Sequence, residues 1–308
     1  MNLEAFVLGC GGMMPLPNRH LTSVLLRREG ELFLFDGGEG TQVSIRRLNL
    51  RWKKISVIFI SHTHADHVTG IPGILMLSSQ VDRDDPLYII GPPRIAEYIE
   101  ASRKILDMYI NYEIIVNEIT EPGVVYQGDG FRVRAFPLRH TKQCYGYTLE
   151  EDTRPGEFHP DLAEALGVRR GPLWSKLQDG ETVKSANGAD VTPRQVLGPA
   201  RSGRKFSFVT DTLAFEGIAP EVAGSDLFVC EGMFENELIE SAVEKRHMTA
   251  EQAAYIARAA RVKKLALIHY SPRYNEFNLK QLLKEAESVF PETVLTRDRM
   301  VFPIEYVD

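Results

Sequence analysis

Apolar residues in this chain fall into short runs separated by polar or glycine-rich breaks. Residues 31–36 (ELFLFD), 55–60 (ISVIFI), 87–90 (LYII), 131–136 (FRVRAF), 206–209 (FSFV), 227–229 (LFV) and 265–268 (LALI) are β-branched or aromatic-rich and bounded by Gly, Pro or charge. That pattern predicts short buried strands. Elsewhere the period changes. Leu279, Leu282, Leu283, Ala286 and Val289 follow the i, i+3, i+4, i+7 spacing of a helix, with Asn278 placed as its N-cap. Thr249 and Gln252 form a capping-box pair that opens a helix over 250–260. Strands alternating with helices predict an α/β fold. There is no solenoid-length repeat and no low-complexity tract.

One stretch departs from this rhythm. Residues 152–205 hold 7 Gly and 5 Pro in 54 positions, about twice the density of the rest of the chain. Gly and Pro interrupt regular structure. The same stretch carries nine Lys or Arg against seven Asp or Glu. It reads either as a flexible surface insertion or as a protruding arm that contacts a polyanion, since long loops without a function are uncommon in compact domains.

Composition narrows the classes. The 308 residues carry 36 Lys and Arg against 42 Asp and Glu, a net charge of −6. That argues against coating nucleic acid through overall charge, though not against a local basic site. The N-terminal residues include an acid and no basic n-region, which predicts no signal peptide. No apolar run approaches the ~20 residues of a membrane span, so no membrane association is expected. Cys10, Cys144 and Cys230 are odd in number and widely spaced. A disulfide framework is therefore not expected, and a reducing cytoplasm is.

The chemistry concentrates in Ser61-His62-Thr63-His64-Ala65-Asp66-His67. His62 and His64, two apart at the end of a strand, point to the same side. Asp66 and His67 follow in the turn. Three imidazoles and a carboxylate pack poorly into an apolar core, because each would need its own hydrogen-bond partner. They are first-choice zinc ligands. His140, Asp211 and His269 each follow a predicted strand. That edge is where α/β sheets carry ligand sites. Glu231 also ends a strand, and His247 precedes the helix capped by Thr249. Together they read as a proton-transfer couple; the competing reading of His247 is a capping or surface role. His20 and His159 have no such context and read as surface residues. Gly9-Cys10-Gly11-Gly12 lacks the third glycine of a dinucleotide fingerprint and reads as a tight turn.

The pattern His62-x-His64-x-Asp66-His67, then His140, Asp211 and His269, resembles the metallo-β-lactamase superfamily. Its ribonuclease Z branch is resembled by Phe35-Asp36-Gly37-Gly38-Glu39-Gly40-Thr41-Gln42 and by His247 with Thr249, Ala253 and Ala254. The insertion adds Gly171-Pro172-Leu173, Lys176-Leu177, Gly180-Glu181-Thr182-Val183, Gly198-Pro199 and Gly203-Arg204-Lys205. The likeness covers nearly the whole chain. It implies a single metallo-β-lactamase domain over 1–308, a four-layer αββα sandwich, with 152–205 as a protruding Gly/Pro-rich arm. It also implies two zinc ions per subunit, with manganese as the alternative. His62, His64 and His140 would hold one, Asp66, His67 and His269 the other, and Asp211 would bridge. The implied activity is endonucleolytic removal of the 3′ trailer from precursor tRNA in the cytoplasm, by a homodimer whose arm grips the tRNA.

Two cations roughly 3.5–4 Å apart can clamp the attacking and leaving oxygens at phosphorus and activate a water near neutral pH. Asp66 is then a proton acceptor as well as a ligand, and His247, oriented by Glu231, protonates the leaving ribose oxygen. Two segments depart from the branch's usual pattern: Cys230-Glu231-Gly232-Met233 replaces His-Glu-Ala-Thr, and the loop Pro15-Leu16-Pro17-Asn18-Arg19-His20 lacks the usual lysine and ends in histidine. The alternative is a phosphodiesterase or hydrolase of the same fold acting on a small non-tRNA substrate. A non-catalytic RNA-binding protein is disfavoured, because structural zinc sites are usually closed and need no second metal. Arg46, Arg47, Arg51, Lys53 and Lys54 form an acid-free run that reads as a solvated face or as a contact to tRNA phosphates.

Overall fold

The computed structural model describes residues 2–79 and 83–306. In chain order its strands are β1 (Leu3–Gly9), β2 (Ser23–Arg28), β3 (Glu31–Phe35), β4 (Ile55–Phe59), β5 (Leu87–Gly91), β6 (Ile114–Glu118), β7 (Gly123–Gly128) and β8 (Phe131–Arg139). They continue with β9 (Gln143–Glu151), β10 (Val183–Lys184), β11 (Asp190–Val191), β12 (Lys205–Val209), β13 (Leu227–Glu231), β14 (Leu265–Ile268), β15 (Thr293–Leu295) and β16 (Val301–Pro303). By internal contact the chain divides into two compact units. One comprises Met1–Leu149 and Lys205–Glu305, the other Glu150–Arg204 together with Tyr306.

The larger unit is built on two seven-stranded sheets, in the orders β16-β1-β2-β3-β4-β5-β6 and β15-β14-β13-β12-β9-β8-β7. Strand periodicity explains why both are needed. Phe33 and Phe35 of β3 belong to one apolar cluster, while Leu32 and Leu34 belong to another. Likewise Val57 and Phe59 of β4 separate from Ile58. Alternate side chains point to opposite faces, so a strand apolar at every position must be covered on both. On one face the sheets meet: the Phe33 ring lies 5.2 Å from that of Phe131, and the Phe35 ring 5.2 Å from that of Phe206. On the other face of the first sheet lie Ile45, Ile71, Ile74, Leu75, Ile95 and Ile99 from helices. Helix Ala250–Ala259 and helix Leu279–Val289 supply Ala253, Ala257, Leu282 and Ala286 to the cluster of the second sheet. The expected four-layer αββα order follows.

The predicted strands all form, several with longer ends. β8 runs on to Arg139, where buried Leu138 between exposed Pro137 and Arg139 continues the alternation. The capping box at Thr249 forms as expected, with the Gln252 amide donating to the Thr249 hydroxyl. Asn278 occupies its N-cap position but does not cap. Its backbone is already helical and its side chain makes no cap bond. Asn275 does the local work instead, accepting from the amides of Phe277 and Asn278.

The smaller unit carries its own core of Ala163, Val168, Leu177, Val183, Val191 and Val196, with Phe158 and Trp174 packed against it. Its Gly and Pro residues mark turns rather than lack of structure. Pro160 and Pro172 each open a helix, Pro160–Ala165 and Pro172–Gln178. Gly180, at φ +89, lies just past the second of these, in a conformation costly for other residues. The ends of the segment are tied together: the buried Arg204 guanidinium donates to both carboxylate oxygens of Glu151, at 2.7 and 2.8 Å. The Tyr306 ring lies under Arg154 and Arg204.

Candidate metal centre

Parallel pairing brings the loop residues to one edge. Phe35 pairs with Phe59, so Asp36 after β3 and Ser61 after β4 emerge together. In the second sheet Val209 pairs with Cys230 and Glu231 with Ile268. Asp211, Glu231 and His269 therefore leave the same edge.

Asp36 is buried, at φ +55. Its Oδ1 accepts the Ser61 amide, and its Oδ2 accepts both the Ser61 hydroxyl and His67 Nδ1–H, each at 2.7 Å. These bonds divert the chain from the sheet. His62 and His64 therefore lie past the strand, in the loop before helix Ala65–Val68, and not on β4 itself.

Two groups of side chains form around Asp211. His62 Nε2, His64 Nδ1 and His140 Nε2 make one: the His64 atom is 2.8 Å from His62 and 3.2 Å from His140. Asp211 Oδ2 is 3.6 Å from both His62 Nε2 and His140 Nε2. The other group is Asp66, His67 and His269. Asp211 Oδ1 stands 3.2 Å from His67 Nε2 and 3.1 Å from His269 Nε2. Asp66 Oδ2 is 3.6 Å from His67 Nε2 and receives the Met13 amide at 2.7 Å. Ligands held about 2.0–2.1 Å from a tetrahedral cation stand roughly 3.3 Å apart. Each group lies within 4.8 Å, and so does a third combination, Asp211 with His247 and His269.

The donor chemistry fits a cation. His67 Nε2 and His269 Nε2 are buried without a hydrogen-bond partner. Their opposite ring nitrogens are committed: His67 Nδ1 to Asp36, and His269 Nδ1 to Thr22 Oγ1 at 2.7 Å, whose own hydrogen goes to the Gly11 carbonyl. Lone pairs on Nε2 thus face the Asp211 carboxylate, and a positive charge between them relieves the repulsion. His140 Nδ1 donates to the Arg246 carbonyl at 3.0 Å, which leaves the Nε2 lone pair facing His64 and Asp211. Metal-binding histidines are oriented in this way.

The electrostatics agree. Burial, then His67, holds His62 well below the usual imidazole range, and burial lowers His64 and His140. Burial would raise the Asp211 carboxyl, but His269, His67 and His62 hold it well below its ordinary value. Burial would lower His67, but Asp211 and Asp36 outweigh it and raise it. The space between His67 and Asp211 therefore calls for a proton or a metal ion.

Glu231 and His247 adjoin this centre. Glu231 is fully buried and accepts the Thr212 amide on Oε1 and His247 Nδ1–H on Oε2, the latter at 3.0 Å. His247 Nε2 lies 3.9 Å from Asp211 Oδ2. Burial lowers the His247 imidazole, but Glu231 and Asp211 prevail and hold it at about 9.

Ribonuclease Z of Treponema denticola is 69% identical to this chain over 308 residues, covering 100% of both. The chain belongs to the ribonuclease Z family. Ribonuclease Z of Treponema pallidum (strain Nichols) is 69% identical over 306 residues, 99% of each chain. The family described as Anti-Pycsar protein Apyc1 matches residues 3–154. Among solved structures, human tRNase Z, short form, is similar with a TM-score of 0.72 at 24% identity, covering 98% of this chain and 99% of that one. The metallo-β-lactamase fold of the family entails use of a divalent metal, for which the histidine and aspartate groups above are suited. Among the described residues no helix is long and apolar enough to cross a membrane.

Several residues of the site carried no role in the sequence reading. Thr22, Ser61, Met13 and the Arg246 carbonyl orient candidate ligands, yet nothing in their spacing marks them. Asp36 carried a signal, an acid directly after a buried apolar strand. Gly12 is required by contact: a Cβ there would stand 2.6 Å from His269 Nε2. His20 is half-buried. Its amide donates to Asp298 and its ring meets Ser44. His159 is half-buried too, ahead of helix Pro160–Ala165.

Proposed function

We propose that this member of the ribonuclease Z family removes the 3′ trailer from precursor tRNA by hydrolysis, leaving a 3′-hydroxyl on the tRNA. The observation that carries the reading is Asp211, whose two carboxylate oxygens face separate histidine groups in a chain 69% identical to a ribonuclease Z. His62, His64 and His140 with Asp211 Oδ2 would hold one zinc ion, and Asp66, His67 and His269 with Asp211 Oδ1 a second, with manganese as the alternative. Bound there, such ions lower the pKa of water and offset phosphate charge.

The chain's own residues supply the proton traffic. Asp66, fixed by the Met13 amide, accepts a proton from the attacking water. The new P–O bond forms opposite the breaking P–O3′ bond. Glu231 holds His247 Nδ1–H, so the protonated ring presents its second N–H at Nε2. That proton goes to the departing O3′, giving the tRNA 3′-hydroxyl and a trailer with a 5′-phosphate. The domain reading belongs to the same proposal: one metallo-β-lactamase domain over 1–308, with 152–205 as a tRNA-contacting arm, acting as a cytoplasmic homodimer.

The test combines metal analysis with cleavage of a precursor tRNA carrying a 3′ trailer. Two bound metals and no cleavage overturn the reading. A small non-tRNA phosphodiester is the competing substrate. A higher kcat/KM for such a substrate than for precursor tRNA would favour it.

A further inference from the structure

A cavity of about 310 Å³ is lined by Thr63, Arg94, Glu97, Tyr98, Ala101 and Lys142. Thr63 stands between His62 and His64, and Lys142 comes two residues after His140. The cavity is thus continuous in sequence with both segments of the first ligand group. Its size is at the low end of small-ligand sites, enough for one nucleotide and not for a duplex.

Two cations serve it. Lys142 donates one of its three N–H bonds to the Thr63 carbonyl at 2.9 Å, which fixes the ammonium against the loop and leaves two donors. Arg94 is 78% exposed and, among the described residues, pairs with Glu97 at 2.9 Å. It adopts φ +75, a left-handed conformation that favours glycine, directly before helix Ile95–Ile105. Strain of this kind is concentrated at binding and catalytic sites. Tyr98 anchors its hydroxyl to the Val68 carbonyl at 2.9 Å, so its ring is a fixed wall. Aromatic walls beside a cationic groove hold single-stranded RNA by stacking, with little regard to sequence.

We propose that this cavity is a subsite for the nucleotide next to the scissile phosphate, with Lys142 and Arg94 on its phosphate and Tyr98 against its base or ribose. The proposal rests on the RNA-cleaving reading above. Glu97 occupies the Arg94 fork until a phosphate displaces it. Binding there is sequence-tolerant, because every contact is to phosphate or to an aromatic face.

The test measures binding of a short single-stranded oligoribonucleotide to the full chain by fluorescence anisotropy across a salt series, alongside precursor-tRNA cleavage. Lys142→Ala and Arg94→Ala should each weaken binding about tenfold for any sequence and flatten the log–log salt slope by about 0.7. Lys142→Arg should restore both, and Glu97→Gln should tighten binding. Lys142→Ala and Arg94→Ala variants with wild-type affinity and slope overturn the subsite. Weakened binding with an unchanged slope overturns it too, since that marks a loop-positioning role. If the wild-type chain cuts no precursor tRNA while both variants lose oligonucleotide binding, the subsite stands and the tRNA reading falls. If the wild type cuts and the variants bind normally, the reverse holds.

Discussion

Asp36 Oδ2 accepts the Nδ1–H of His67 at 2.7 Å, across 31 residues of chain, from the end of β3 to the short helix Ala65–Val68 that follows β4. The bond sets the ring so that Nε2 faces Asp211. Asp36→Asn keeps the shape and loses the charge. It should weaken metal affinity about 10–100-fold, read by competition with a chromogenic chelator. Unchanged affinity would show that the His67 ring is oriented by packing alone.

His247 and Glu231 should act on turnover and not on metal content. His247→Ala is expected to lower kcat by roughly 10²–10⁴-fold with both metals retained. Glu231→Gln should lower kcat too, because the amide no longer favours the protonated ring. Loss of a metal in His247→Ala would instead assign His247 to the third candidate ligand combination, Asp211 with His247 and His269.

The Glu151–Arg204 pair is buried and bidentate. Glu151→Ala removes the carboxylate from a buried guanidinium and should cost about 3–5 kcal/mol. Limited proteolysis is the measurement: cleavage within 152–205 should appear well before cleavage elsewhere. Equal rates would mean that the small core around Val168 and Leu177 suffices to hold the segment.

Tyr112 buries its phenol, with the hydroxyl donating to the Leu75 carbonyl at 3.0 Å, and burial pushes it up to about 12. A raised folded value means that its stabilisation is complete below the ordinary value near 10 and is lost as pH rises through about 12. Tyr112→Phe should cost about 1 kcal/mol at neutral pH, and that deficit should shrink above pH 10. Urea melts at pH 7 and pH 11 test this; a constant deficit would contradict it.

Much of the architecture was legible because burial on two faces leaves a plain mark. The run Ile58-Phe59-Ile60 needs cover on both sides; the second sheet supplies one and helices supply the other. Of the strands not foreseen, β1 and β2 are as well buried as the expected ones, while others have weaker patterns. β9 includes Gln143, Gly146 and Glu150 among buried residues, and β6 is half-exposed with polar Asn117 and Glu118. β16 is three residues long and has one buried position, Phe302. In the insertion Gly and Pro punctuate a segment with its own apolar core, which composition alone does not reveal.

The sequence by itself determined which groups could bind a cation, because side-chain type and short-range spacing are local properties: His62, His64, Asp66 and His67 fall within six residues. It also placed His140, Asp211 and His269 after strands, and so on one edge. Only the tertiary structure decided how these groups divide around Asp211, which nitrogen of each ring is committed to Asp36, Thr22 or Arg246, and that Lys142 and Arg94 share a cavity. Those relations join residues up to 247 positions apart. They depend on strand register and sheet packing, which fix distance and orientation in ways that no local spacing encodes.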